Sequence, residues 1–240
     1  MKALLLFTVL FASIGYSQCN ELFFSEYIEG SSSNKAFEIY NPTDATIDLT
    51  DYVVYRNNNG SLTPTDSLFP LGSLPAGEVF VVGNPSASPS IMAEVDTTHT
   101  MTFYNGDDAL WLKKISTSDT IDIIGDIGVD PGSGWPVGSG ATNNFTLIRY
   151  IYINQGQTYW PLGSTEWTVF PIDMTDSLGM HTMTPCPDCA TTAFIEDTVC
   201  NELISPSGEY TWTESGTYMD TILNMEGCDS IITFDLTVYN

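Results

Sequence analysis

Two kinds of side chain in this sequence could perform acid–base chemistry, the histidines and the carboxylates. The 240 residues include two histidines, His99 and His181, and thirty Asp and Glu residues. Neither histidine has a serine or cysteine motif near it, and a lone histidine in a polar segment is typical of a surface residue. The sequence also contains no G-x-S-x-G, no H-E-x-x-H and no phosphate-binding glycine loop that ends in lysine. We therefore predict no catalytic residue.

The sharpest acidic feature is a set of four aspartates, Asp107, Asp108, Asp126 and Asp130, which could bind calcium. Calcium takes several oxygen ligands at one point, and loops that carry Asp, Asn and backbone carbonyls can supply them. The same residues also belong to ordinary turn sequences, Asn-Gly-Asp-Asp and Asp-Pro-Gly. The spacing of Asp122, Asp126 and Asp130 does not match an EF-hand. Calcium at the four aspartates is therefore a hypothesis beside the turn interpretation, and no other cofactor is expected.

The chain contains five cysteines, an odd number that leaves one thiol without an assigned partner. Cys200 and Cys228 flank one compact segment and are predicted to form a disulfide, which would stabilise it by roughly 3.5 kcal/mol in the chain-entropy model. Cys19 is predicted to pair with Cys186 or Cys189 and so to join the two ends of the first domain. A zinc site at the C-x-x-C pair is disfavoured, because a second such pair is missing and the compartment is oxidising.

Residues 1–17 have the features of a secretory signal peptide. Lys2 gives a basic start, and the apolar run from Ala3 to Ile14 is well below the ~20 residues that a transmembrane helix needs. Cleavage after Ser17 would release a secreted or cell-surface protein with no transmembrane span. The residues before Cys19 match the lipoprotein pattern poorly, which disfavours a lipid anchor on that cysteine.

The charge of the chain is strongly acidic. Without the leader, five Lys and Arg residues remain against thirty Asp and Glu residues, which gives a formal charge of −25. Such a field repels phosphate backbones and disfavours direct binding to nucleic acids. Because 42% of the residues are hydrophobic and 15% are charged, the chain is globular rather than disordered. The acidic residues would form a solubilising surface or, alternatively, recruit divalent cations.

The elements that must position these residues are short strands. Apolar β-branched and aromatic segments alternate with turn residues through most of the chain, and no window shows helical periodicity. Phe37 and Ile39 can face one way with Glu38 between them, and Leu22 and Phe24, with Ile28 as a possible third member, can also share a face. Seven or more strands at this spacing predict an antiparallel β-sandwich. The predicted strands include residues 22–28, 36–40, 52–55, 79–82, 109–112, 121–124, 145–153 and 167–170.

Four tryptophans of this region allow two interpretations. Trp111, Trp135, Trp160 and Trp167 could line a carbohydrate or peptide surface, because an indole offers an apolar face and a polar edge. Sandwich cores, however, use tryptophan more often than ligand sites do. The sequence leaves both interpretations open.

The segments FSEYIEG (residues 24–30) and NKAFEIYNPT (residues 34–43) resemble the opening of the lamin-tail domain as it occurs in secreted bacterial proteins. The resemblance implies an immunoglobulin-like sandwich over residues 19–182. It also implies a non-catalytic module of the kind found beside secreted nucleases, phosphatases and adhesins. Further segments similar to that family are LTDY at 49–52, LPAGEVFVV at 74–82, GDDALWL at 106–112, DIIG at 122–125, DPGSGW at 130–135, FTLIR at 145–149 and EW at 166–167.

The composition changes after Thr182. Residues 183–196 carry small residues, prolines and the C-x-x-C pair, which is typical of a linker. Residues 197–240 are predicted to form a small disulfide-bearing β module, and through SPSGEYTWTESGTYMDTI and GCDSIITFDLTV they resemble a repeat of large secreted proteins of Bacteroidetes. One copy is present where such repeats usually continue, and nothing resembles the C-terminal sorting domain of type IX secretion. We therefore expect the 240 residues to be part of a longer protein.

The sequence thus predicts an all-β protein, an immunoglobulin-like antiparallel β-sandwich followed by a small C-terminal β module. Its predicted function is that of a secreted, non-catalytic binding or structural module at the cell surface or outside the cell, with an extracellular protein or carbohydrate as its ligand. One alternative is the accessory domain of an extracellular nuclease or other hydrolase whose catalytic part lies outside these residues. Another alternative is an adhesin that calcium stabilises.

Overall fold

The computed structural model describes residues 19–184, 191–223 and 229–239. The chain divides into two units, and residues 19–184 belong to the larger unit while the other described residues belong to the smaller one. The predicted signal peptide, residues 1–17, lies outside the described residues. No helix in the described part of the chain is long and apolar enough to cross a membrane.

The larger unit is built from short strands joined by turns, as the sequence predicts. Its two helices, α1 (Pro89–Met92) and α2 (Trp160–Gly163), are single turns, and 3₁₀ turns occur at Leu49–Asp51 and Thr100–Thr102. The strands are β1 (Phe23–Glu29), β2 (Lys35–Tyr40), β3 (Ile47–Asp48), β4 (Tyr52–Asn57), β5 (Asp66–Leu68), β6 (Ser73–Leu74), β7 (Val79–Gly83), β8 (Thr97–Thr98), β9 (Ala109–Lys114), β10 (Thr120–Ile124), β11 (Pro136–Val137), β12 (Gly140–Ala141), β13 (Phe145–Arg149) and β14 (Trp167–Phe170).

Two sheets form the sandwich of the larger unit. The six-stranded sheet has the order β14-β13-β1-β2-β7-β8, and the four-stranded sheet has the order β10-β9-β4-β5. All of these pairings are antiparallel except that of β7 with β8. Side chains of both sheets meet in one hydrophobic core. The predicted immunoglobulin-like antiparallel β-sandwich is therefore confirmed.

The core-facing residues of β1 do not follow a simple alternation. The pairing of β1 with β2 is irregular between Phe24 and Glu26, so Ser25 is an extra residue in the strand. Because of this bulge, Phe24 and Tyr27 both reach the core, whereas Ile28 faces the opposite side of the sheet. Leu22 and Phe24 share the core face as expected, and Ile28 does not join them for this reason. Each fully buried apolar side chain of this kind contributes about 1.5–3 kcal/mol.

The outer face of the six-stranded sheet is also covered. Helix α1 and residues 173–181, which we call the strap, pack over this face. The contacts form a second apolar cluster in which Ile28 of β1 meets Ile91 of α1 and Leu178 of the strap. Both faces of this sheet are therefore buried, and the polar side chains of its outer face lie inside the protein.

The smaller unit is a three-stranded sheet with a short hairpin. Strands β15 (Thr191–Cys200), β19 (Asp229–Tyr239) and β18 (Gly216–Leu223) form the sheet in the order β15-β19-β18, with β15 parallel to β19. The hairpin consists of β16 (Leu203–Ile204) and β17 (Thr211–Trp212). The predicted linker, residues 183–196, overlaps with β15, because small and β-branched residues after Thr191 pair with β19.

Candidate functional site

The aspartates predicted to bind calcium lie in loops of the larger unit, where two of them make other contacts. Asp108 Oδ1 accepts a hydrogen bond from the N–H of Asn59 at 3.1 Å, and Asp108 Oδ2 lies 3.9 Å from Arg56 Nε. Asp130 Oδ1 accepts a hydrogen bond from the N–H of Gly132 at 2.8 Å, which is an Asx turn. These carboxylates therefore stabilise the loops that contain them.

The calcium hypothesis gains no support from the positions of the four aspartates. Among the described residues, no three Asp, Glu, His or Cys side chains are arranged so that they could hold a metal ion. Asp107, Asp108, Asp126 and Asp130 all belong to the described residues. Burial is the largest cause of the raised pKa values of Asp107 and Asp108, and the nearby Asp130 carboxylate raises both further. The contacts of Asp108 and Asp130 fit the turn interpretation, and calcium at the four aspartates stays a prediction.

Both histidines have structural roles. His99 Nδ1 accepts a hydrogen bond from the N–H of Met101 at 3.0 Å and so caps a 3₁₀ turn. The His181 ring packs edge-on against Phe23 and Tyr40, with centroid distances of 5.8 and 4.9 Å. Burial and, to a lesser extent, the Arg149 charge lower the pKa of His181 to about 4, so the ring is neutral at pH 7. His181 is thus half-buried, unlike the predicted surface residue.

An ion pair lies at the centre of the larger unit. Arg149 and Asp122 are fully buried, with Arg149 Nη2 2.5 Å from Asp122 Oδ2. The Arg149 guanidinium also stacks 4.4 Å from the ring centroid of Trp167 and lies 3.1 Å from Glu166 Oε2. Asp122 accepts further hydrogen bonds from the backbone N–H groups of Phe24, Ile123 and Gln157. Asp122, which the sequence placed in an acidic series, therefore has a structural role with all four lone pairs in use.

Two glutamates lie opposite each other beneath the strap. Glu26 of β1 and Glu38 of β2 are register partners, with exposures of 1% and 0%. The Ser177 hydroxyl donates to Glu26 Oε2 at 2.7 Å, and the Gly179 N–H donates to Glu38 Oε2 at 2.8 Å. The Ser25 hydroxyl donates to Glu38 Oε1 at 2.6 Å. Burial is the main cause that raises the pKa of Glu26 to about 8 and that of Glu38 to about 7.

Hydrogen bonds hold the strap to the rest of the larger unit at its N-terminal end as well as above the glutamate pair. The Asp173 carboxylate accepts hydrogen bonds from the N–H and the hydroxyl of Ser31, at 2.8 and 2.6 Å, and from Asn34 Nδ2 at 3.0 Å. The Thr146 hydroxyl donates to the Met174 carbonyl at 2.8 Å. Sequence analysis missed the glutamate pair, because the residues that cover it lie more than 130 positions later in the chain.

A shallow cavity of about 280 Å³ lies between the strap and the end of β13. Its walls are mostly apolar and include Ile148, Ile151, Met174 and Met180. Ser177 also lines the cavity, but its hydroxyl donates to Glu26. The cavity is at the lower limit of small-molecule sites, and it lacks an activated nucleophile within the described residues.

The four tryptophans divide between the two interpretations. Trp135, Trp160 and Trp167 are buried in the core, with exposures of 6%, 4% and 2%. Trp111, by contrast, lies on the outer face of the four-stranded sheet and is partly exposed. Its ring lies 4.5 Å from that of Tyr55 between centroids, at an angle of 31°. The core interpretation therefore holds for three of the four.

The predicted disulfides stay predictions. Cys200, at the end of β15, is a free, exposed thiol. Cys228 itself and both predicted partners of Cys19, namely Cys186 and Cys189, lie outside the described residues.

Part of the chain matches the model of a known family. The model of the Lamin Tail Domain family matches residues 16–128. No curated protein matches the chain. The matched segment contains β1 to β10 and ends before β13 and β14, although β13 pairs directly with β1. The resembling segments up to residue 125 therefore lie inside the match, and those at 130–135, 145–149 and 166–167 lie beyond it.

Proposed function

We propose that residues 19–182 form one lamin-tail domain and that the chain is a secreted, non-catalytic binding or structural module of a bacterial extracellular or cell-surface protein. The observation that carries the proposal is that both histidines and the buried Asp122 are used in structural contacts. His99 caps a turn, His181 packs between aromatic rings, and Asp122 is saturated with hydrogen bonds. Catalysis by general acid or base needs a group that is free to exchange a proton with a substrate.

The family match supports the first part of this proposal, and the sheet topology supports its extension. Strand β13 pairs with β1 through four residue pairs, from Glu26 with Ile148 to Glu29 with Phe145. Strand β14 in turn pairs with β13. A domain that ended at residue 128 would lose two strands of its larger sheet. The proposed domain therefore ends after the strap, near Thr182.

The extracellular location is proposed from the leader and the composition. Residues 1–17 have the pattern of a signal peptide, and the net charge of −25 that remains is suited to a solubilising surface. The similarity of residues 197–240 to a Bacteroidetes repeat points to the same setting. Expression of the tagged full chain in a Bacteroidetes host should place it outside the inner membrane, and a variant without residues 2–17 should stay in the cytoplasm. Equal retention of both forms in the cytoplasm would argue against secretion.

Activity assays test the non-catalytic part of the proposal. The purified mature chain should not hydrolyse DNA, phosphoesters or glycosides in the presence of magnesium or calcium. Any hydrolysis that is detected is to be compared with that of the His181→Ala variant, because a contaminating enzyme would be unaffected by this substitution. Turnover that copurifies with the chain and disappears in His181→Ala would show that the module is an enzyme.

A further inference from the structure

The outer face of the four-stranded sheet carries a row of side chains that the core does not use. Antiparallel register partners point to the same face of a sheet. The register places Ile123 of β10, Trp111 of β9, Tyr55 of β4 and Ser67 of β5 side by side. The alternate residues Leu110 and Leu112 belong to the core, so this row faces outward.

The two aromatic rings of this row are held in place by the strands. Trp111 Nε1 donates a hydrogen bond to Asn57 Oδ1 at 2.8 Å, which fixes the orientation of the indole. Tyr55 lies in contact with it, and both are partly exposed. Val53 and Ile123 of the same face are 1% and 4% exposed. A rigid aromatic surface on strands loses little conformational entropy when a ligand binds.

A lysine without an ion pair lies beside these rings. Lys113 is two residues from Trp111 on the same strand and opposite Val53, so it shares the outer face. The other basic side chains of residues 19–240, namely Lys35, Arg56, Lys114 and Arg149, all form ion pairs with carboxylates. Within the described residues Lys113 forms none, although the chain carries thirty acidic residues.

We propose that Tyr55, Trp111 and Lys113, the aromatic face, bind a saccharide that carries a carboxylate, such as a uronic acid. The C–H face of a pyranose ring is complementary to the electron-rich face of an aromatic ring. The Lys113 ammonium pairs with the carboxylate and the Ser67 hydroxyl is available to the sugar hydroxyls. This inference rests on the proposed function as a binding module and names its ligand class.

The charge of the whole chain limits which acidic ligands fit. At physiological ionic strength the field of the chain's distant carboxylates is screened beyond about 8 Å. Their repulsion therefore acts less on a single carboxylate in contact with Lys113 than on a long polyanion. Nucleic acid bases could also stack on the rings, but each added phosphate increases the repulsion. A short oligosaccharide with one carboxylate at the contact therefore suits this face better than a nucleic acid.

Two matched ligands test the proposal on the mature full chain. The probes are a β-1,4-linked glucose tetramer whose terminal unit is a single glucuronate, called the glucuronate tetramer, and cellotetraose, which differs from it by lacking the carboxylate. The glucuronate tetramer should shift the NMR resonance of the Trp111 indole N–H and bind at least 5-fold more tightly than cellotetraose. The Trp111→Ala variant should lose at least 10-fold in affinity, and Lys113→Gln should bring the affinity for glucuronate down to that for cellotetraose.

Controls separate this proposal from the proposed function. Lys114→Gln removes a neighbouring lysine that pairs with Glu21 and should leave binding unchanged, as should Tyr159→Ala, which removes an exposed tyrosine elsewhere. Equal binding of the two tetramers, or tighter binding of a single-stranded oligonucleotide at Trp111, would overturn the assignment of the ligand. An unperturbed Trp111 resonance with both tetramers would overturn the site, since that measurement needs no variant. In each of these cases a chain without catalytic activity would still fit the proposed function as a binding or structural module. The ligand assignment and the proposed function therefore fail separately.

Discussion

At the scale of single residues, two buried carboxylates and one half-buried carboxylate determine an unusual pH response. Burial is the main cause that raises the pKa of Glu26 to about 8 and the pKa values of Glu38 and Glu166 to about 7. In the unfolded chain a glutamate titrates near pH ~4.3. A folded pKa above the unfolded value means that the contribution to stability is fully present below about pH 4 and is lost as pH rises through 7 to 8. These groups therefore favour the folded state in mild acid.

Glu38→Gln should remove part of this pH dependence. The amide mimics the protonated carboxyl, so the variant should match the wild type at pH 4 and exceed its stability by roughly 2–3 kcal/mol at pH 8.5. Urea unfolding midpoints at the two pH values measure the difference. The exposed Glu78→Gln substitution provides the control and should follow the wild type at both pH values. A gain of equal size at pH 4 and 8.5 would show that ionisation of Glu38 is not the cause.

The ion pair in the core gives a second prediction at this scale. Asp122→Ala should destabilise the larger unit by about 3–5 kcal/mol, because it leaves the buried Arg149 without its partner. Asp126→Ala, an acid of the same sequence series that is less buried, should change stability by less than about 0.5 kcal/mol. Chemical denaturation of the two variants makes the comparison. Similar losses in both would mean that the pair with Arg149 does not stabilise the unit.

The sequence reveals some of these residues and not others, for physical reasons. Phe37 and Ile39 are recognisable as core residues because their alternation is local. The burial of Glu38, which lies between them, is not recognisable in the sequence, since it depends on the strap. Nothing near Asp122 in the sequence indicates its pairing with Arg149, which lies 27 residues later. Local pattern therefore predicts which side of a strand a residue occupies, but not what covers that side.

At the scale of elements, the strap is the part of the larger unit that the sequence pattern does not predict. The strap forms no strand and lies on the outer face of a sheet that a two-layer sandwich would leave to solvent. The bulge at Ser25 is similarly invisible in the sequence, and it decides that Ile28 packs under the strap rather than in the core. The composition of a segment predicts that it forms a strand. The side of the sheet on which each of its side chains lies depends on irregularities in strand pairing.

Gly179 of the strap tests how firmly this element is held. Its φ of +91° disfavours any side chain, and an added Cβ would lie 2.5 Å from Glu94 Oε2. Gly179→Ala should cost about 1–2 kcal/mol and should increase hydrogen exchange of the amide that donates to Glu38. Exchange in the central strands β4 and β9 should change less.

Gly77 provides a matched control for this substitution. Its φ of +74° is also in the left-handed region, but no atom lies within 4 Å of an added Cβ. Gly77→Ala should therefore introduce backbone strain without loosening the strap. If both variants increase hydrogen exchange of the amide at position 179 equally, the contacts of the strap do not hold it independently of the rest of the unit.

At the scale of the whole molecule, the fold class follows from the sequence and the domain limits do not. Short strands separated by turns are sufficient to predict the sandwich of residues 19–182, and the structure has it. The linker was predicted from small residues and prolines over residues 183–196. The structure instead begins β15 at Thr191, because a parallel partner 39 residues later completes its pairing. A strand whose partner is distant in sequence carries little local signal.

The extent of the larger unit gives the last prediction. A chain of residues 19–128, which contains the matched part of the family, should not fold cooperatively, whereas a chain of residues 19–184 should. The shorter chain lacks β13, which pairs with β1, and lacks Arg149, so Asp122 would be buried without its partner. It also lacks the strap, and Glu26 and Glu38 would lose the hydrogen bonds from Ser177 and Gly179. Thermal unfolding followed by circular dichroism compares the two chains. A cooperative transition of the shorter chain near that of the longer one would mean that the domain is complete within the matched segment and that β13, β14 and the strap are additions to it.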